Sequence, residues 1–183
     1  KSSVQKLSAL FKKGYLRLIL IGIAVGMFNQ FTGINIIMYY ATDIFRSAGF
    51  STNSAILQTV LIGLINLIFT ILAMRLIDKI GRKKLLLTGT LGMAFFLALF
   101  AYSYLSGALS SSMLVISLIC FIAFFASSQG AVIWVVLSEI FPNNIRARGA
   151  SIGSFSHWFF NGATTFLFPI VVGLFSSGKG IGY

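Results

Sequence analysis

The sequence predicts an all-α membrane protein, a bundle of five transmembrane helices, on three observations. Hydrophobic residues make up 57% of the 183-residue chain and charged residues only 9%, for a mean hydropathy of +0.95. A water-soluble domain of this size needs far more charged surface. Apolar stretches of roughly 20 residues recur, each long enough to cross a hydrocarbon core of about 30 Å. The basic residues behind the formal charge of +11 fall almost entirely between those stretches. That placement sets membrane topology and excludes a nucleic-acid-binding reading. The 19 Phe and 18 Gly residues suit helices that face lipid and pack closely on each other.

Residues 1–15 are polar and basic, without the apolar core and cleavage site of a signal peptide, and are expected to form a cytoplasmic linker. Residues 16–183 are expected to form the transmembrane bundle, with spans at 16–45, 55–77, 85–104, 113–137 and 151–175. The first span exceeds a straight crossing and carries Asn29-Gln30-Phe31-Thr32-Gly33-Ile34-Asn35 near its middle. Gly33 favours a break, and the neighbouring carboxamides can satisfy the backbone groups it frees. Irregular backbone cannot face lipid, so this span is expected to line a cavity. The short, uncharged Ser106–Ser112 stretch predicts a tight turn between the antiparallel third and fourth spans.

Counting Lys and Arg on alternate sides orients the bundle. Twelve of the fourteen fall on one side, with Arg46 and Lys179 on the other. The twelve-residue side, with segment 1–15 and the loops near 78–84 and 142–150, is expected to be cytoplasmic. Cys120 is the single cysteine, so no internal disulfide is possible. Five spans, a first residue other than Met and an abrupt end at Tyr183 suggest a fragment with a sixth helix beyond it.

Three motifs are more specific. Asn29-Gln30-Phe31-Thr32-Gly33-Ile34-Asn35-Ile36-Ile37-Met38-Tyr39-Tyr40 resembles the Gln-Gln-x-x-Gly-x-Asn-x-x-x-Tyr-Tyr signature of the sugar porter family of the major facilitator superfamily, where it lies on the seventh of twelve helices. Asp78-Lys79-Ile80-Gly81-Arg82-Lys83 is similar to that family's Asp-x-x-Gly-Arg-Arg/Lys cytoplasmic loop. Trp134, followed by Ser138-Glu139-Ile140-Phe141-Pro142 with Arg146 and Gly149, resembles the tenth helix and the loop after it. The resemblance covers essentially the whole chain and implies the C-terminal helical bundle of a major-facilitator transporter, helices seven to eleven. Asn29 departs from the first Gln of the signature. Ala131 and Ile133 stand where many members carry prolines, which is expected to weaken the hinge of that helix. His157 stands before Trp158 where many members have Asn or Gln.

A sugar presents hydroxyls that both donate and accept, together with apolar C–H faces. Asn and Gln amides match the first and a flat aromatic ring the second. The resemblance implies sugar-hydroxyl contacts for Gln30, Asn35 and Asn66, with Asn29 beside them, and a pocket floor at Trp134. It also implies that Tyr39 and Tyr40 help to close the external side; as interfacial belt residues they would serve equally. His157, Trp158 and Asn161 are expected on one side of the fifth span as further substrate contacts, since 157 and 161 are i, i+4. For Asn66 and Asn161 the alternative is hydrogen-bonded glue between helices. Asp78, Arg82, Lys83, Glu139 and Arg146 are expected at cytoplasmic span ends, where Glu139 with Arg82 and Arg146 would latch a gate.

The expected function is transmembrane transport of a neutral sugar or polyol by alternating access, with the N-terminal half of the same transporter and the bilayer as partners. His157 is the single ionisable group in the middle of a span, either a proton-coupling candidate or a neutral hydrogen-bonding imidazole. Proton coupling is left open, because in the family's symporters the coupling acid lies in the N-terminal half. The rival is a transporter-like sugar sensor that binds without transporting. No enzyme motif is present, and no cofactor or metal is expected.

Overall fold

A computed structural model describes residues 13–106 and 111–177. Most of the expected 1–15 linker, the centre of the Ser106–Ser112 turn and Lys179 lie outside the described residues. The helices are α1 (Lys13–Phe31), α2 (Ile34–Ser47), α3 (Thr52–Ile80), α4 (Arg82–Ser106), α5 (Ser111–Phe125), α6 (Ala131–Glu139) and α7 (Arg146–Ser177). A single π turn, Ala126–Gly130, joins α5 to α6. Among the described residues, five helical runs are long and apolar enough to cross a membrane by length and composition, with α1 and α2 together forming the first.

The helices outrun the predicted spans at their charged ends. α1 already begins at Lys13, inside the expected linker, and α7 begins at Arg146, inside the expected 142–150 loop. Asp78, Arg82 and Lys83, expected in a loop, are helical, and Gly81 alone separates α3 from α4. Hydropathy locates where a span leaves hydrocarbon, whereas the helix continues into water and headgroups until its backbone is turned. Gly81 does the turning: its φ of 87° is open to glycine at no steric cost, and its N–H bonds the Ile77 carbonyl at 3.1 Å.

The chain divides into two compact units, residues 1–36 with 137–183 and residues 37–136. In the first unit α1 packs along α7 where Gly22 and Gly26 on α1 meet Gly153 on α7. At Gly26 a Cβ would sit 2.7 Å from the Gly153 carbonyl oxygen and 2.9 Å from the His157 nitrogen, so the two backbones touch. Such small-residue seams drive helix association where lipid removes the hydrophobic incentive. The Ser156 hydroxyl donates to the Ile23 carbonyl at 2.9 Å across the same seam. Buried Phe141 fills the notch beside Gly22 and Gly149, within a cluster of Ile19 and Ile145.

The second unit packs α3, α4, α5 and the π turn. Ile77, Leu85 and Val132 form a buried cluster there. Along α4, Leu87, Leu91 and Phe95 remain 59–64% exposed at one-turn spacing, a stripe suited to lipid. The π turn was not anticipated. At its start the Phe124 carbonyl accepts from the Ser128 hydroxyl at 2.6 Å and the Ser127 hydroxyl at 3.2 Å. Ser128 lies against Gly89, where a side chain would collide with it, and Gln129 Nε2 donates to Thr90 Oγ1 at 3.1 Å. This span therefore keeps an irregular turn although Ala131 and Ile133 replace the prolines, and Ala-Ser-Ser-Gln-Gly is its sequence signal.

Candidate functional site

The break expected at Gly33 is present. α1 ends at Phe31, Gly33 adopts φ 81°, and α2 starts at Ile34. Two of the carbonyls exposed by this ending find local donors. Thr32 Oγ1 donates to the Asn29 carbonyl at 2.7 Å, and the Gly33 N–H donates to the Gln30 carbonyl at 3.0 Å. Nothing lies within 4 Å of the place a Gly33 Cβ would take, so conformation alone calls for glycine there.

Four polar side chains of the first unit meet at the break. Asn29 and Gln30 are 2% and 1% exposed, which in an apolar span demands partners. Gln30 is the hub. Its Oε1 accepts from Asn35 Nδ2 at 2.6 Å, tying the start of α2 to the end of α1. Its Nε2 donates to Asn29 Oδ1 at 3.3 Å and lies 3.0 Å from each ring nitrogen of buried His157 on α7. A neutral imidazole has one bare nitrogen, and because both nitrogens are equidistant that nitrogen is within reach of Nε2 in either neutral tautomer. Phe31 packs edge-on against Phe160 beyond the network, with centroids 5.5 Å apart.

The other candidates take different positions. Asn161 is buried one turn beyond His157, and its Oδ1 accepts from Thr165 Oγ1 at 3.2 Å. Trp158, expected on the same side as His157 and Asn161, is 60% exposed. One residue is about a 100° rotation on a helix, so Trp158 leaves the face that its neighbour shares with Asn161. Tyr39 is exposed and Tyr40 half-buried on α2. In the second unit, half-buried Asn66 accepts from Thr70 Oγ1 at 3.4 Å, and Trp134 on α6 is partly exposed. At the charged span ends, Arg82 pairs with Asp78 at 3.6 Å, Lys83 and Glu139 are exposed, and Arg146 Nε donates to the Phe141 carbonyl at 3.3 Å.

Sequence reasoning missed Ser156, Gly26 and Gly153, which hold α7 close enough for His157 to reach Gln30. The paired Gly-x-x-x-Gly spacing was their signal. Among the described residues no group of three or more His, Cys, Asp or Glu side chains could hold a metal ion.

The family model described as "Sugar (and other) transporter" matches residues 1–183. The chain belongs to this family, the sugar porters of the major facilitator superfamily. It is 40% identical over 169 residues to the arabinose-proton symporter of Bacillus subtilis, covering 92% of this chain and 36% of the relative. To the glucose facilitated diffusion protein of Zymomonas mobilis subsp. mobilis it is 40% identical, covering 83% of this chain and 32% of the relative. Among solved structures, the major-facilitator proton:xylose symporter bound to 6-bromo-6-deoxy-D-glucose aligns at a TM-score of 0.78 and 39% identity, over 90% of this chain and 36% of that one. The chain thus spans about a third of the length of the sugar porters it matches. Like them it is a multi-pass membrane protein of the plasma membrane, and the family is one of transporters, not enzymes.

Proposed function

We propose that this chain supplies the C-terminal bundle of a transporter that moves a neutral sugar or polyol across the plasma membrane by alternating access, coupled to protons. The observation that carries this reading is the carboxamide network at the helix break, where Gln30 and Asn35 meet without a charged side chain of their own. Amides of this kind exchange hydrogen bonds with hydroxyls at little net cost. Asn35 spends one N–H on Gln30, which leaves its oxygen and second N–H for a ligand. Asn29, Asn66 and Asn161 add further carboxamides. Trp134 or Trp158 offers a flat face for sugar C–H groups, and Tyr39 and Tyr40 stand on the half-helix that follows the break.

The N-terminal half of the same transporter is the partner against which this bundle rocks, since alternating access needs two bundles around one site. Segment 1–15, the α3–α4 connection and the α6–α7 connection face the cytoplasm in this reading, following their basic residues. Glu139, with Arg82, Lys83, Arg146 and Asp78, forms the cytoplasmic gate. Neutralising Glu139 should shift the population towards the inward-open state, and unchanged reactivity of cytoplasmic-cavity cysteines in Glu139→Gln would refute this role.

The decisive experiment is uptake of labelled pentoses, hexoses and polyols by the complete gene product in proteoliposomes, with and without a proton gradient. Gradient-driven accumulation supports symport, the activity named for the arabinose relative. Equilibration without accumulation supports facilitated diffusion, the activity named for the Zymomonas relative. Binding without flux of any sugar would replace transport with sensing.

A further inference from the structure

We propose that His157 is a positioning residue for the sugar site: its protonation turns over the Gln30 carboxamide, and through it Asn35, making sugar affinity depend on pH. The proposal rests on the sugar-binding reading of Gln30 and Asn35 and adds to it a regulation that His157 brings to the site. The argument is one of donors and acceptors. In the observed arrangement Gln30 Nε2 lies 3.0 Å from both ring nitrogens, and Gln30 Oε1 faces Asn35 Nδ2 at 2.6 Å. Either neutral tautomer of His157 has its bare nitrogen within reach of Nε2. An imidazolium carries two N–H groups and no acceptor, so neither nitrogen can accept.

With the ring protonated, Gln30 regains a bond only by presenting Oε1 to it. That places Nε2 against Asn35, which must then offer Oδ1 in place of Nδ2. Asn29, whose Oδ1 accepts from Nε2 at 3.3 Å, must turn likewise. One proton therefore exchanges donors for acceptors along the cluster. A ligand meets Asn35 with its oxygen available when His157 is neutral and with its amide N–H groups available when it is charged. The charged ring also holds water more firmly, and a sugar entering beside it must displace that water. Affinity accordingly falls as His157 is protonated.

The cluster is packed tightly enough to transmit the change, since the Gly26–Gly153 backbone contact fixes α7 against α1 one turn away. The ionisable groups of the packed elements lie elsewhere. On α1 they are Lys13, Tyr15 and Arg17, with Arg17 roughly 20 Å before Gln30 along the axis at about 1.5 Å per residue. On α7 they are Arg146 and Arg148, more than two turns before His157; α6 ends in Glu139, and α2 carries Tyr39 and Tyr40 about one turn, and Asp43 and Arg46 two or more turns, past Asn35.

The test measures affinity of the complete gene product in nanodiscs for D-xylose, L-arabinose and D-glucose between about pH 5 and 8, the range in which histidines titrate. His157 should cost wild type about tenfold in affinity towards the acid end relative to its variant, about one swapped hydrogen bond's worth. His157→Gln, or His157→Asn if the first variant does not fold, should lose that contribution whatever its absolute affinity, and keep any slope that a coupling acid of the N-terminal half supplies. In parallel, infrared difference spectra of sugar-free wild type across the same range should show carboxamide C=O bands that move with pH and are absent from the variant. Identical pH profiles in wild type and variant overturn the proposal. Carboxamide bands that respond to pH in a protein that binds no sugar would instead uphold the switch and overturn the sugar reading.

Discussion

The two units handle polar groups in an apolar environment differently. In the first, the buried side chains of Asn29, Gln30 and His157 bond across the α1–α7 seam, and Ser156 reaches the α1 backbone. In the second, many polar groups stay on their own helix. Asn66 accepts from Thr70 one turn on, Ser128 returns to the Phe124 carbonyl, and Ser117 donates to the Met113 carbonyl. Its cross-helix bonds, Gln129 to Thr90, Tyr104 to Ser47 and Thr42 to Thr59, join exposed or half-buried side chains. A carboxamide network shared between helices ties the shape of a site to the packing of backbones. A locally satisfied amide can meet a ligand without disturbing its neighbours. This contrast predicts which substitutions propagate.

The strongest test of it is Gly26→Val. A Cβ alone already meets backbone atoms at 2.7 and 2.9 Å, and backbone cannot yield as a flexible side chain does. Overpacking should cost about 3 kcal/mol or more. We expect loss of monodisperse protein in fluorescence-detected size exclusion, and retention of wild-type stability would mean that the seam is looser than described. Next comes Gln30→Ala, which removes the side chain shared by Asn35, Asn29 and His157 and should weaken sugar binding by about 100-fold in calorimetry. Asn66→Ala removes one amide whose partner is a half-buried threonine on the same helix, and about tenfold is expected in the same assay. Equal losses for the two would erase the distinction between the units.

Smaller effects bear on the second unit alone. Ser128→Ala removes the hydroxyl that supports the π turn and should lower stability by about 1 kcal/mol, read from the midpoint of thermal unfolding. Asp78→Asn removes the exposed 3.6 Å pair with Arg82 and should change stability by less than about 1 kcal/mol. A large shift in that midpoint would show that the pair belongs to a cooperative network.

Much of this was legible in the sequence because it follows from local chemistry. The spans follow from the cost of placing polar groups in hydrocarbon, and the break follows from Gly33 flanked by amides. Both depend on residues within a few turns of each other. The helix ends ran further than predicted because hydropathy reports hydrocarbon and not backbone hydrogen bonding. The exposure of Trp158 was a matter of helical phase, set by which face of α7 the glycines press against α1.

By itself the sequence determined that the chain is a set of membrane helices, that its first span is broken at Gly33, and which amides and aromatics are available for a neutral polar ligand. Only the tertiary structure decided that Gln30 and His157, 127 residues apart, share a hydrogen bond, and that Asn35 is drawn into the same network. The physical reason is distance along the chain. Solvation and propensity act residue by residue, whereas a bond between remote side chains exists only once two backbones have been brought within reach, here by glycines that present no side chain to keep them apart.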